Sequence, residues 1–351
     1  MNILIYGANG YTAELIIDLF LKKNLRPILA GRSAEKIAPI ADRTGLESRI
    51  FGLDDPKTVD SGLRGVQIVL NCAGPFVFTA RQMMAACLRN GCHYLDITGE
   101  FPVFEAAAAL DGTAKSANLM IMPGVGFDVV PTDCLALFLK KKLPDAQKLL
   151  LAFAQPGGQL SRGTQKSMTN KLGDGGLVRE NGILTSVPLG HKMREIDFGD
   201  KKYFTMTIPW GDVATAFYTT GIPNIEVYSL VHPKTHRKLR FLRPFLKIFK
   251  IGFFKKLALA RIEKMPAGPD ADRRNLAKTS LWGRVENAVG GAVEARFETP
   301  NGYSLTAETA VLIVQRIAEG HFQAGFRTPA AVFGENFIQE IEGVTGFSVQ
   351  K

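Results

Sequence analysis

The chain has 351 residues, 46% of them hydrophobic and 22% charged, with 43 basic residues against 33 acidic and a net charge of +10. That composition belongs to a folded protein of about two domains and excludes wholesale disorder, a collagen-like repeat or a disulfide-stapled scaffold. The 4 cysteines, Cys72, Cys87, Cys92 and Cys134, stand in no C-x-x-C pair and no metal-ligand spacing, so reduced thiols and no metal site are expected.

The opening MNILIYGANG is an apolar strand running into a glycine turn, so no secretory leader is expected. No apolar run is long enough to predict a membrane-spanning helix, and a cytoplasmic protein is expected. Residues 2–6 read as a strand and 12–23 as a helix with Leu15, Ile16, Leu19 and Phe20 on one face. A second strand covers 27–30. Ser33 can cap a helix reaching about Arg43, bent at Pro39. Residues 49–53 are a third strand, and Asp55-Pro56 opens a helix. Strands at 67–72, 93–97 and 119–122 alternate with helices at 79–90 and 101–117. Six strands with crossover helices predict an α/β fold, a Rossmann-type doubly wound parallel sheet.

The first turn carries chemistry. Gly7-Ala8-Asn9-Gly10-Tyr11-Thr12-Ala13 is G-x-x-G-x-x-A between a strand and a helix. In that pattern Gly7 makes the tight turn, Gly10 lets a phosphate approach the backbone, and Ala13 is small enough for the helix to pack on the strand. The helix start offers N–H groups and a partial positive charge to a pyrophosphate. Gly7, Asn9, Gly10, Tyr11, Thr12 and Ala13 are therefore candidate dinucleotide-binding residues. The second strand ends Ala30-Gly31-Arg32-Ser33, without the acid that accepts from the ribose hydroxyls of NAD. Arg32 can pair with a 2′-phosphate and Ser33 can donate to it, which favours NADP(H). Asp54 can take the adenine amino group or, with Asp55, begin a helix. After the fourth strand, Cys72, Ala73, Gly74 and Pro75 let the backbone run beside the cofactor. Asp96, Glu100, Asp128 and Asp133 are candidate polar groups of the same sheet edge, each equally able to cap a helix or close a turn.

From about residue 135 the rhythm changes. Residues 149–154, 183–187, 204–208, 214–219 and 226–231 read as strands, and 161–172 as a helix that Ser161 can cap. Residues 279–287 and 292–298 read as a hairpin around Gly290-Gly291, and 305–319 as a helix. The glycine-rich 173–181 is expected to be the weakest-ordered stretch, a candidate lid. Residues 234–264 carry eleven basic residues against one acid, Glu263, and so hold the whole charge excess. Within them Leu242, Phe245, Leu246, Phe249 and Phe253 share one helix face, and Arg240, Arg243, Lys247 and Lys250 another. A basic amphipathic helix of this kind suits a membrane interface, or equally a helix packed on its own domain or on the second copy of a homodimer. Pro244 and Gly252 are expected to interrupt any single long helix. The stretch has no recognised nucleic-acid-binding motif, and no nucleic-acid partner is expected.

Residues 7–13, 30–33, 71–76, 94–100 and 123–133, then Ser161-Arg162-Gly163-Thr164, Gly268-Pro269-Asp270, Trp282-Gly283, 303–309, Thr328-Pro329-Ala330 and Phe333-Gly334, together resemble the saccharopine dehydrogenase-like oxidoreductases. The resemblance is greatest to the branch that includes trans-acting enoyl reductases of lipid biosynthesis. The family pattern often has glycine where this chain has Ala13. The resemblance implies a Rossmann domain over 1–133, an α+β substrate or oligomerisation domain over 134–300, and C-terminal helices over 301–351 that pack back on the first. It implies NADP(H)-dependent hydride transfer to or from a small-molecule or lipid-like substrate. Tyr94, Asp128, Ser161 and Thr164 are the candidate donors or orienters, with His93 and His191 as further acid–base options. The competing reading is a non-catalytic NADP(H)-sensing module docked to a membrane or partner through 234–264.

Overall fold

Short apolar runs become strands buried on both faces, as a parallel sheet covered by helices requires. The computed structural model describes residues 1–171, 173–246 and 252–350. In chain order the first elements are β1 (Ile3–Tyr6), α1 (Tyr11–Lys22), β2 (Ile28–Gly31), α2 (Ala34–Thr44), β3 (Ser48–Ile50), α3 (Pro56–Gly62), β4 (Ile68–Asn71), α4 (Ala80–Asn90), β5 (His93–Asp96), α5 (Phe101–Ala108), α6 (Asp111–Ser116) and β6 (Met120–Met122). Helix α1 buries Ala13, Ile16, Ile17 and Phe20 at helical spacing, and α2 continues through Pro39 while burying Ile37 and Ile40. The single helix expected over 101–117 is two. The break sets Asp111 at the head of α6, where its Oδ1 accepts the Phe326 N–H at 3.0 Å and its Oδ2 pairs with Lys115 at 2.7 Å.

The chain continues as α7 (Val130–Lys142), β7 (Lys148–Ala154), α8 (Arg162–Lys171), β8 (Gly176–Glu180), β9 (Ile183–Val187), β10 (Met193–Asp197), β11 (Lys202–Thr207), α9 (Asp212–Thr220), β12 (Asn224–Leu230), α10 (Pro233–Leu246), α11 (Gly252–Glu263), α12 (Ala271–Leu276), β13 (Lys278–Glu286), β14 (Ala292–Pro300), α13 (Gly302–Ala318), β15 (Gly325–Phe326), α14 (Pro329–Phe333) and β16 (Ser348–Gln350).

Two compact units result. The first is Met1–Val130 with Tyr303–Val332, the second Pro131–Gly302 with Phe333–Lys351. The C-terminal segment is thus divided: α13 and β15 belong to the first unit, while the residues from Phe333 onward belong to the second rather than returning with them. The first sheet has seven strands, one more than expected, in the order β15-β6-β5-β4-β1-β2-β3, all parallel. The added strand is the two-residue β15. Strand order reverses beside β1, so the carboxyl ends of β1 and β4 flank the crevice where such sheets bind ligands.

The second sheet has nine strands and runs β10-β11-β12-β7-β13-β14-β16, with β8 beside β12 and β9 beside β8. Two expectations are corrected here. Residues 214–219, read as a strand, lie in helix α9, which buries Val213, Ala214, Thr215 and Ala216. The stretch 173–181, read as a lid, contains β8, hairpinned to β9 through Asn181 and Gly182, both at positive φ. Arg179 anchors it: Nε donates to Val213 O and Nη1 to Gly182 O, each at 2.7 Å, and the guanidinium lies over the Phe217 ring. Helix α10 continues past Pro244 to Leu246, whereas Gly252 does mark the start of α11. Lys247, Phe249 and Lys250 lie outside the described residues, as do the side chains of Arg240, Leu242, Arg243, Phe245 and Leu246.

Candidate functional site at the carboxyl edge of the first sheet

The end of β1 turns at Gly7, whose φ of +80° is open to glycine without strain. A side chain there would also have no space, since its Cβ would lie 2.8 Å from the Ala73 backbone. The tip of the β4 segment is therefore pressed onto the turn. Gly7 and Ala8 both donate to Ala30 O, at 2.8 and 3.1 Å, tying the turn to β2. Gly10 precedes α1 with no side-chain cap, and the Glu14 N–H bonds Gly10 O at 2.9 Å. A helix start without a side-chain cap carries the partial positive charge that favours an anion. Ala13 is buried, and its methyl carbon would stand 3.8 Å from a Cβ at Gly10, an ordinary contact within the helix start. Asn9 is exposed and Thr12 half-buried, while the Tyr11 ring packs edge-on against Tyr303 of α13 at 5.2 Å.

At the end of β2, Arg32 is exposed and Ser33 heads α2 without spending its hydroxyl on the cap. Residues 30–33 at this strand end include no acid. Asp55 caps α3, accepting the N–H groups of Lys57 and Thr58, each at 3.2 Å. Asp54 is left exposed beside it and plays no part in that cap. Arg32 and Asp54 lie on the same corner as Tyr6, where burial raises the phenol, Arg32 lowers it and Asp54 raises it. The Tyr6 hydroxyl donates to Phe51 O at 3.1 Å and so joins the ends of β1 and β3.

The segment after β4 is held from below. Asn71 Oδ1 accepts the Ala73 N–H at 3.0 Å, Thr79 donates to Ala73 O at 2.7 Å, and Cys72 N–H donates to Tyr6 O at 2.8 Å. Desolvation and the nearby Asp96 push the Cys72 thiol far up, so it stays protonated and supplies no thiolate. Glu100, 3% exposed, accepts the Phe76 and Val77 N–H groups at 3.1 Å and closes the next turn.

Tyr94 lies beneath this edge. It is fully buried, with its hydroxyl donating to Asp96 at 2.7 Å and accepting from Asn71 Nδ2 at 3.3 Å. It positions those two groups and does not line an open face. Asp96 is equally sealed. Its Oδ1 accepts the Thr98 and Gly124 N–H groups, both at 2.9 Å, which ties the loop after β6 to β5. Burial raises its carboxyl to about 7, against the lowering effect of these hydrogen bonds. His93 is structural too: its Nδ1 accepts the Met120 N–H at 3.0 Å, its ring packs on Phe322, and burial lowers its basicity.

Asp128 is half-buried and rides over Gly99, where a Cβ would meet its Oδ2 at 2.5 Å. Its loop is strained, since the β-branched Val129 has φ +146°. Helix α13 secures that loop: Thr306 accepts the Phe127 N–H at 2.9 Å and Thr309 donates to Val125 O at 2.8 Å. Ser161 and Thr164 belong to the second unit. There Ser161 Oγ caps α8 by accepting the Thr164 N–H at 3.2 Å, with the two hydroxyls 3.0 Å apart. Asp133 is also in the second unit, fully buried and accepting from the Thr219 hydroxyl. His191 is exposed. Tyr6, Asn71, Thr79 and Thr306 were not singled out from sequence. A polar residue ending an apolar strand, as Asn71 does, was the available signal for one of them. Among the described residues no group of three or more His, Cys, Asp or Glu is placed to hold a metal ion.

Residues 3–122 match the saccharopine dehydrogenase NADP binding domain family. A human protein named saccharopine dehydrogenase-like oxidoreductase is 26% identical over 205 residues, 51% of this chain and 48% of that protein. A Mycobacterium leprae trans-acting enoyl reductase is 27% identical over 187 residues, 48% and 45% of the two chains. The match thus spans about half the length of these curated relatives. Apo saccharopine dehydrogenase (L-Glu forming) from Saccharomyces cerevisiae shares the fold over 100% of both chains, with a TM-score of 0.69 at 12% identity.

Proposed function

We propose that this chain, whose residues 3–122 match the saccharopine dehydrogenase NADP binding domain family, is an NADP(H)-dependent oxidoreductase acting on a small-molecule or lipid-like substrate. The observation that carries this reading is the turn at Gly7. It is pressed on Ala73 with no space for a side chain, opens onto an uncapped helix start, and stands beside a β2 end that offers Arg32 and no acid. These residues fit NADP(H), which when bound supplies or accepts a hydride.

The first-turn N–H groups of α1 would take the pyrophosphate, with Gly10 allowing the approach. Arg32 would pair with the 2′-phosphate and the uncommitted Ser33 hydroxyl would donate to it. Asp54, not used by the α3 cap, would accept from the adenine amino group. The backbone from Cys72 to Pro75, held by Asn71 and Thr79, would form the wall beside the cofactor. Asp128, on a loop held under strain, is the acid of this edge that is not sealed, and it is the group assigned to handle or orient a proton. Tyr94 and Asp96 hold the edge together from beneath.

Enoyl reduction is the finer reading, supported by the similarity to the mycobacterial trans-acting enoyl reductase. A second reading, a nucleotide-sensing module without turnover, is favoured by one fact: the tyrosine and the carboxyl that titrates near neutrality are both fully buried. Following NADPH consumption against enoyl thioesters and imines separates the two. Turnover that Asp128→Asn lowers with NADPH binding kept supports the enzyme. NADPH binding with no turnover of any such compound supports the module. Gly7→Val is expected to abolish nucleotide binding in either case.

A further inference from the structure

The basic stretch has a structure of its own that the oxidoreductase reading does not use. On α10, Lys234, Arg237, Lys238 and Phe241 follow one another at steps of three, one and three residues and are all exposed, Phe241 by 74%. That spacing puts them on one face. On α11, Phe253, Lys256, Leu257, Ala260 and Arg261 do the same, with Lys264 just past its end, and Phe253 and Leu257 are 70% and 62% exposed.

The other side of α11 is spoken for. Ile262 is buried, and Lys255 Nζ donates to Asn170 O at 3.0 Å, against the end of α8. Glu263, the one acid between residues 234 and 264, pairs with Lys166 and lies 3.9 Å from Arg162, both on α8. The one acid of the stretch is thus neutralised from within the unit, and among the described residues the six cations of the two exposed faces have no ion-pair partner.

We infer that these two faces form a docking surface for an anionic lipid bilayer. Their side chains are Lys, Arg, Phe, Leu and Ala alone. None can accept a hydrogen bond, so the surface offers an anion its donors and, beside them, exposed apolar area. Ammonium and guanidinium groups meet lipid phosphates and carboxylates, while Phe and Leu enter the boundary between headgroups and acyl chains. Near an anionic leaflet each cation contributes roughly fivefold in affinity. The chain would lie on the surface, since among the described residues no helix is long and apolar enough to cross a membrane.

The test is co-sedimentation of the full chain with vesicles of phosphatidylcholine and phosphatidylserine in equal parts, against phosphatidylcholine alone. The expected result is binding only to the anionic vesicles, lost at high salt. Lys256→Glu with Arg261→Glu should weaken it by about a hundredfold or more. Phe253→Ser with Leu257→Ser should weaken it by about tenfold or more while leaving the salt dependence. NADPH binding, read in parallel, should be unchanged in both, which also reports that the variants fold. Three results would overturn the proposal: no binding to anionic vesicles, undiminished binding by the charge-reversed variant, or a dimer in light scattering that the Phe253 and Leu257 changes dissociate. Retention on single-stranded RNA tighter than on the vesicles would overturn it as well.

Discussion

Two strands in different units carry the same small device. In β5 Tyr94 donates to Asp96, and in β12 Tyr228 donates to Glu226, each pair two residues apart and so on one face of its strand. Their carboxyls are shifted in opposite directions. Asp96 is sealed, has the Thr98 and Gly124 N–H groups but no cation in contact, and rises to about 7 because burial dominates. At Glu226 burial also works upward, but the bonds from Lys192 and Tyr228 and the charges of Lys192 and Lys148 bring the carboxyl below its usual range. The comparison teaches that a tyrosine beside an acid says little by itself. Whether a cation reaches the pair decides if the buried carboxyl is held near neutral or held charged.

Removing the charge of Asp96 should have the largest effect. Its folded-state carboxyl binds a proton more tightly than the unfolded one, so the stability it contributes falls as pH rises from about 4 towards 7 and stays lost above. Asp96→Asn keeps Oδ1 for the Thr98 and Gly124 N–H groups and removes the buried charge, at the cost of the acceptor the Tyr94 hydroxyl uses. Urea unfolding at pH 8 should show a gain on the order of 3 kcal/mol, with the slope between pH 4 and 7 removed. An unchanged slope would mean that another group titrates there.

Taking the cation from the other pair should act in the opposite sense. Lys192→Met leaves Glu226 without its bonded ammonium and is expected to cost about 1–2 kcal/mol at pH 7. Glu226 contributes its stability above the ordinary value of 4.5 and loses it as pH falls through its lower folded value, so this cost should fade in acid. Chemical unfolding curves at pH 7 and pH 3.5 check it. The smallest effects are expected from the hydroxyls. Tyr94→Phe should cost about 1–2 kcal/mol, because Asp96 has no cation to fall back on, and Tyr228→Phe about 1 kcal/mol or less. Equal costs would break the comparison.

Much of the first unit was legible because its strands are unbroken apolar runs, such as Ile3–Tyr6 and Ile68–Asn71, bounded by turn residues. A strand of two residues, Gly325–Phe326, leaves no such pattern. In the second unit, Val213, Thr215, Phe217 and Thr219 have strand propensity, yet they fold as α9 because tertiary burial outweighs it. Strand β8 was missed although its signal was present. Asn181-Gly182 joins Glu180 to Ile183 as a two-residue hairpin turn, and the surrounding glycines drew the reading towards a lid. At the site, the glycine turn, Arg32 and the segment after β4 were readable because their chemistry is local. The full burial of Tyr94 was not readable, because burial depends on partners far along the chain, which no spacing records.

The central claim is that the carboxyl edge of the first sheet binds NADP(H) through Gly7, Gly10 and Arg32. Isothermal titration of NADPH and NADH against the wild type and Arg32→Ala tests it most directly. The account predicts that NADPH binds about tenfold tighter or more and that Arg32→Ala removes the preference, as loss of a charge-assisted pair implies. Failure of both nucleotides to bind at millimolar concentration, or an NADPH preference that survives Arg32→Ala, would contradict it.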